Sequence, residues 1–201
     1  MADVDVKEKD MKTIAGETEG FKCVIQKAIH FLNEFIAGPM CARCMPCPMA
    51  SYELRTLFEK MVKGFATDRD IESIKKIAPL MFATSMCKKG KDTAKFIMDT
   101  IANAMDVYNA HVAGLCPDRQ CTALYVYRVI EDKCVMCDEC RQVCKSYAVL
   151  GEKKVAYMSG FGAYEIVNKR CTRCGDCLKV CLYNAIEVAD VNAPAACSRS
   201  L

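Results

Sequence analysis

The sequence predicts an α+β chain, with a bundle of four helices followed by a small cysteine-rich domain with short strands. Three observations carry this. Apolar residues recur at i, i+3, i+4, i+7 spacing through most of residues 21–112. Glycine, proline and capping residues interrupt that pattern at helix-length intervals. Beyond it, two cysteine runs repeat with an offset of 37 residues, among short β-branched and aromatic stretches.

The first helix is expected over residues 21–36, where Phe21, Val24, Ile25, Ala28, Ile29, Leu32, Phe35 and Ile36 form one stripe and Gly38-Pro39 stops it. Ser51 is expected to cap a second, carrying Leu54, Leu57, Phe58, Met61 and Val62 and ending at Gly64. Thr67 precedes Asp68 and Asp70, acids that suit the positive end of a helix dipole, and Ile71, Ile74, Ile77, Leu80 and Met81 follow. Pro79 is expected to kink or shorten that third helix. Residues 91–112 give a fourth, with Phe96, Ile97, Ile101, Ala104, Met105 and Tyr108. Four amphipathic helices with short connections make an antiparallel bundle, so the Met and Phe stripes read as core. His30, among apolar neighbours on the first helix, reads as packing.

Composition narrows the function. With 28 Lys+Arg and 25 Asp+Glu in 201 residues, the net charge of +3 gives no footprint for nucleic acid, and 52% apolar residues exclude general disorder. The opening MADVDVKEKDMK lacks the apolar centre of a signal peptide, and no apolar stretch is long enough for a membrane span. A cytoplasmic chain is expected, and there 16 cysteines point to metal rather than disulfides.

The cysteines are grouped. Cys134, Cys137, Cys140 and Cys144 read C-x2-C-x2-C-x3-C, and Cys171, Cys174, Cys177 and Cys181 repeat it. Three thiolates of such a run wrap one iron–sulfur cube, and the fourth reaches the neighbouring cube. One cube therefore takes Cys134, Cys137, Cys140 and Cys181, and the other Cys171, Cys174, Cys177 and Cys144. This is the pattern of a two-cluster bacterial ferredoxin-like domain, with paired zinc sites as the alternative. Proline ordinarily follows the fourth cysteine, whereas here Lys145 and Leu182 do. Between the runs, residues 155–157 and 164–167 are expected to pair as a β-hairpin across Ser159, Gly160, Phe161 and Gly162. A short strand is expected after each run, as at residues 185–188.

Cys41, Cys44 and Cys47 lie between the first two expected helices, and Cys87 follows Cys47 by 40 residues at the end of the third. A bundle can bring those two loops to one end, placing four thiolates around a third cube. A zinc site or a redox thiol pair is the alternative.

The run Cys41-Ala-Arg-Cys44-Met-Pro-Cys47, then a helix, then Thr84-Ser85-Met86-Cys87, resembles the C-terminal iron–sulfur helical domain of the flavin-bearing NADH dehydrogenase subunit of complex I. With Cys116-Pro117-Asp-Arg-Gln-Cys121 and the two later runs in order, it is most similar to the corresponding subunit of electron-bifurcating FeFe hydrogenases. The likeness covers roughly residues 20–190. It departs at Ala42 and Pro48, where the family usually has Gly and Arg.

The resemblance implies three 4Fe-4S clusters. It also implies a Zn2+ held by Cys23, His111, Cys116 and Cys121, a three-thiolate, one-imidazole set that suits a closed structural site. A buried Cys23 and a helix-terminal His111 favouring the dipole are the alternatives. Cys197 is expected to be unligated. The sequence shows no G-x-G-x-x-G loop. The chain is therefore expected to be a stand-alone electron-transfer subunit with no catalytic site of its own, the flavin and NAD(P)H sites lying on a partner. Soluble ferredoxin or a further redox subunit is a second expected partner. Lys133, Arg141, Lys145, Lys169 and Arg170 either raise the cluster potentials or dock an acidic partner such as a soluble ferredoxin or flavodoxin, or are solvated surface. A free-standing ferredoxin-type carrier and a non-redox zinc scaffold remain open.

The expected domains are a flexible tail over residues 1–19, the helical iron–sulfur domain over 20–113, a zinc-bearing linker over 114–126, the ferredoxin-like domain over 127–190 and a C-terminal tail over 191–201.

Overall fold

In the computed structural model, which describes residues 9–191, the chain forms two compact units, divided after Leu124. The first is helical: α1 (Met11–Thr18), α2 (Val24–Ala37), α3 (Pro46–Lys63), α4 (Asp68–Thr84), α5 (Lys88–Asn103) and α6 (Met105–Val112). Helices α2, α3, α4 and α5 pack in a closed ring, each against the next and α5 back on α2, so they are the bundle. Its core holds Leu32, Phe35, Leu54, Phe58, Met61, Ile74, Met81 and Ile97, all within 1% of full burial. Each such side chain contributes about 1.5–3 kcal/mol by leaving water.

Several boundaries differ from the sequence reading. Residues 11–18, assigned to the flexible tail, are helical: Asp10 caps α1 through Met11 N, and Ile14 is fully buried. Helix α3 begins at Pro46, five residues before Ser51. Proline needs no amide partner at a helix start, and Ser51 is buried in the second turn rather than capping. Helix α4 runs through Pro79 to Thr84.

The expected fourth helix is two, broken at Ala104 (φ −144°, ψ 38°). In one straight helix Thr100 and Tyr108 would stand about 12 Å apart along the axis. The break lets the fully buried Tyr108 meet Thr100 Oγ1 at 2.9 Å and set its ring edge-on to Phe58.

The second unit contains β1 (Tyr125–Val129), a 3-10 turn (Glu131–Lys133), α7 (Glu139–Val143), β2 (Val149–Leu150), β3 (Glu165–Ile166), α8 (Asp176–Val180) and β4 (Ile186–Asp190). β1 pairs antiparallel with β4, from Tyr125 opposite Asp190 to Val129 opposite Ile186, and β2 pairs with β3. Each cysteine run thus lies between one strand of each pair.

The expected hairpin is different in register. Residues 165–166 pair with 149–150, not with 155–157, and Val155 and Tyr157 are exposed. Alternation alone was misleading there, because neither face of residues 155–157 meets a core. Tyr164 turns inward against Gly151, whose φ is 147°. A Cβ at residue 151 would stand 2.4 Å from the tyrosine ring, so only glycine fits.

Candidate iron–sulfur and metal sites

In the helical unit two of the four expected ligands sit at helix starts, while Cys41 and Cys44 lie in the loop before α3, exposed and half-buried. Cys47 lies in the first turn of α3 and Cys87 is the N-cap of α5. Cys47 is therefore on a helix, not in the loop. Neither first turn carries an acid, so the positive ends of both dipoles are left for thiolates.

Cys47 is buried, and its thiol is pushed up to about 11, first by burial and then by the neighbouring Cys44, Cys87 and Cys41. All four expected sulfurs thus share one locale. Crowded buried thiols keep their protons unless a cation replaces them. Two buried hydroxyls, Ser51 Oγ and Ser85 Oγ, have no hydrogen-bond partner among the described residues. A Cβ at Gly90 would fall 2.8 Å from Ser85 Oγ and 3.4 Å from Cys47 Sγ, so the first turn of α5 fits closely around this spot. Converging thiols, orphaned hydroxyl donors and two helix N-termini suit an anionic cluster. Ala42 sits in the left-handed region (φ 51°), at the position where glycine would be free of strain.

In the second unit the runs form two recesses. One is lined by Cys134, Cys137, Cys140 and Cys181. The other is lined by Cys144, Cys171, Cys174 and Cys177. Each recess thus takes three cysteines from one run and the fourth from the other.

The backbone explains the aim. Left-handed residues recur at matching places: Met136 and Arg173 (φ 55° and 58°), Asp138 and Gly175 (78° and 81°), Tyr147 and Asn184 (51° and 48°). Five of the six carry a side chain and are strained by about 1–2 kcal/mol each. Ala148 N donates to Cys144 Sγ and Ala185 N to Cys181 Sγ, both at 3.3 Å. Burial first, and then the other thiols, push Cys140 and Cys177 up to about 11, as at Cys47. These cavities and donors also suit iron–sulfur clusters.

Asp138, between Cys137 and Cys140 of the first recess, is 4% exposed. It accepts from Tyr164 Oη (2.6 Å) and from Arg141 Nη2 (2.7 Å), and the Arg141 guanidinium first, then the tyrosine, hold its carboxyl well below the usual range.

Cys23, His111, Cys116 and Cys121 form a fully buried group whose ligand atoms all lie within 4.8 Å of one another. Cys23 Sγ is 3.7 Å from Cys121 Sγ, and His111 Nε2 is 3.4 Å from both sulfurs. A tetrahedron with Zn–S near 2.3 Å has S···S edges of about 3.8 Å. His111 Nδ1 donates to Val107 O at 2.7 Å, which fixes the tautomer and leaves Nε2 as acceptor. The Cys121 thiol, as donor, lowers Cys23 and is itself raised by the same contact.

The sequence reading did not single out Gln26 or Gln120. Gln26 Nε2 donates to Cys121 Sγ at 3.6 Å, and Gln120 Oε1 accepts from Lys22 N and Cys23 N at 2.9 and 2.8 Å. Gly90, Asp138 and Arg173 were also missed as site residues. None of these carried a sequence signal; Gly90 lies just before the expected helix over residues 91–112.

His30 packs on Phe21 as expected and also bonds Glu17 Oε2 at 3.2 Å. Lys9 bridges Glu17 and Glu34 beside it. Cys197 lies outside the described residues. Among the described residues no helix is long and apolar enough to cross a membrane.

Residues 27–111 match the NADH-ubiquinone oxidoreductase-F iron-sulfur binding region. The chain is 31% identical over 133 residues to the NADP-reducing hydrogenase subunit HndC of Solidesulfovibrio fructosivorans, covering 66% of this chain and 27% of that one. It is 30% identical over 96 residues to the F subunit of the NADH-quinone oxidoreductase of Mycobacterium tuberculosis, 47% of this chain and 21% of the relative. With the F subunit of the Aquifex aeolicus oxidoreductase the figures are 34% over 78 residues, 39% and 18%. The chain spans about a quarter of the length of HndC and about a fifth of these F subunits. Residues 27–111 are thus an iron–sulfur binding region of the kind found in NADH-ubiquinone oxidoreductase F subunits.

Proposed function

We propose that the chain is an iron–sulfur electron-transfer subunit of a cytoplasmic, NAD(P)H-linked flavin oxidoreductase. It relays electrons between a flavin on a partner subunit and a low-potential acceptor such as ferredoxin. The flavin reaction, bifurcating or not, belongs to the partner. HndC bears the name of a subunit of an NADP-reducing hydrogenase, and the F subunits bear that of an NADH–quinone oxidoreductase. That is the support for a flavin- and nicotinamide-linked assembly.

The observation that carries the reading is the sorting of eight cysteines from two runs into two four-thiol recesses. Such sites, when filled, supply one-electron carriage. The chain's own residues set geometry and field. Cys41, Cys44, Cys47 and Cys87 would hold one 4Fe-4S cluster. Cys134, Cys137, Cys140 and Cys181 would hold the second, and Cys144, Cys171, Cys174 and Cys177 the third. Cys23, His111, Cys116 and Cys121 would hold Zn2+, tying the start of α2 to α6 and the segment after it.

Metal and sulfide analysis after anaerobic purification tests this. The expected result is about twelve iron and twelve sulfide with about one zinc per chain. Zinc alone, with no sulfide, would overturn it in favour of a zinc scaffold. Co-elution with a flavoprotein marks a member of a complex, and elution alone marks a free carrier.

A further inference from the structure

The two halves of the second unit repeat in backbone but not in charge. Residues 131–145 carry four acids (Glu131, Asp132, Asp138, Glu139) against three cations. The matching residues 168–182 carry four cations (Lys169, Arg170, Arg173, Lys179) against one acid, Asp176. Most of these are surface groups that water and salt screen. Two are not. Asp138 occupies the left-handed position of its loop, 4% exposed, where its counterpart is Gly175. Its partner Arg141 is 51% exposed, so the cation is screened more than the anion it pairs. Arg173 occupies the left-handed position where the counterpart is the neutral Met136. It is partly buried and fixed by Nε to Tyr125 O (2.8 Å) and by a second nitrogen to Cys171 O (3.2 Å).

We propose that Asp138 and Arg173 make the two cluster sites of the second unit unequal, the Cys134/Cys137/Cys140/Cys181 site having the lower reduction potential and the Cys144/Cys171/Cys174/Cys177 site the higher. A fixed anion disfavours an added electron and a fixed cation favours it, most strongly where the dielectric is low. An electron passing from the first site to the second leaves the one oxidised and the other reduced by one, with no bond broken and no proton moved. The second site is then where a single electron rests.

The inference rests on the two-cluster reading above, so iron and sulfide are counted first on the anaerobically reconstituted full chain. Incomplete loading speaks against that reading. With both sites loaded, an EPR-monitored redox titration reads their midpoints. The expected result is two separate values. Asp138→Gly, which installs the residue of position 175, raises only the lower. Arg173→Met lowers only the higher, and the double variant brings them together. Arg173→Lys keeps the charge but not the two-pronged hydrogen bonding, and is expected to retain most of the higher value; a purely structural role would not allow this. If Asp138→Gly does not load its site, Asp138→Asn is titrated instead and the Arg173 variants read the other site independently. Coincident midpoints in the parent protein, both substitutions moving the same midpoint, or no movement in loaded variants would each overturn the proposal.

Discussion

Cys23 Sγ stands 3.4 Å from His111 Nε2 although 88 positions separate them in the chain. The contact joins the N-cap of α2 to the last turn of α6, and Cys116 and Cys121 complete a group with no exposed member. Unfolded, these four residues have no reason to meet, so an ion bound there adds its binding free energy to folding.

Replacing one ligand should therefore remove both metal and stability. Cys23→Ala is expected to reduce zinc from about one per chain to a small fraction and to destabilise the helical unit by about 3 kcal/mol. For a unit of this size that is a fall in melting temperature of roughly 10–20 °C. Gln26→Ala, which removes only the 3.6 Å donor to Cys121 Sγ, should weaken zinc binding by roughly tenfold and leave the fold intact. Zinc competition against a chromophoric chelator separates the two. Equal zinc affinity in Cys23→Ala and the parent would show that the group is a packed thiol cluster.

The close fit at Gly90 reverses an ordinary expectation. A glycine inside an exposed helix turn usually gains about 0.5–1 kcal/mol on replacement by alanine. Gly90 is buried, and the added Cβ would stand 2.8 Å from Ser85 Oγ, 3.0 Å from Ser85 Cβ and 3.4 Å from Cys47 Sγ. Gly90→Ala is expected to lower the melting temperature and to cost the helical unit about four of its irons. The paired change Ser85→Gly removes the clashing side chain and should restore part of the loading. Full iron in Gly90→Ala would show that Cys47 and Cys87 do not share a cluster.

These sites were legible to different depths. The candidate ligand sets came from spacing, and the structure lines each of two recesses with three cysteines of one C-x2-C-x2-C-x3-C run and the fourth of the other. The helical class followed from the apolar stripe. What spacing could not show is set by tertiary contact. Residues 155–157 alternate like a strand, but a strand needs a partner edge, and that edge is taken by residues 149–150. Residues 91–112 read as one helix because Ala104 is a strong helix former. The break is imposed by Tyr108 reaching Thr100 and by His111 turning toward the sulfurs. Asp138 is invisible as a site residue because nothing in C-x2-C-D-E-C says that its carboxylate will be buried under Tyr164.

The start of α4 provides a pH-dependent contribution with a definite sign. Thr67 and Asp70 cap the helix start together: Thr67 N donates to Asp70 Oδ2 at 2.7 Å, the Thr67 hydroxyl donates to the same oxygen at 2.8 Å, and Asp70 N donates to Thr67 O at 2.9 Å. Burial opposes the Asp70 carboxylate, but the Thr67 hydroxyl and amide, with Lys60 behind them, outweigh it and hold the carboxyl below its ordinary 3.8. A carboxyl depressed on folding binds its proton less readily folded than unfolded. Its contribution is thus complete above the unfolded value near pH 4 and is lost as pH falls through the lower folded value. Asp70→Asn is expected to lose about 1 kcal/mol of helical-unit stability at pH 7, and the difference from the parent should shrink steadily below pH 4. Denaturant melts of both proteins from pH 7 down to pH 3 check this. A difference that stayed constant to pH 3 would mean that Asp70 acts through packing rather than through its charge.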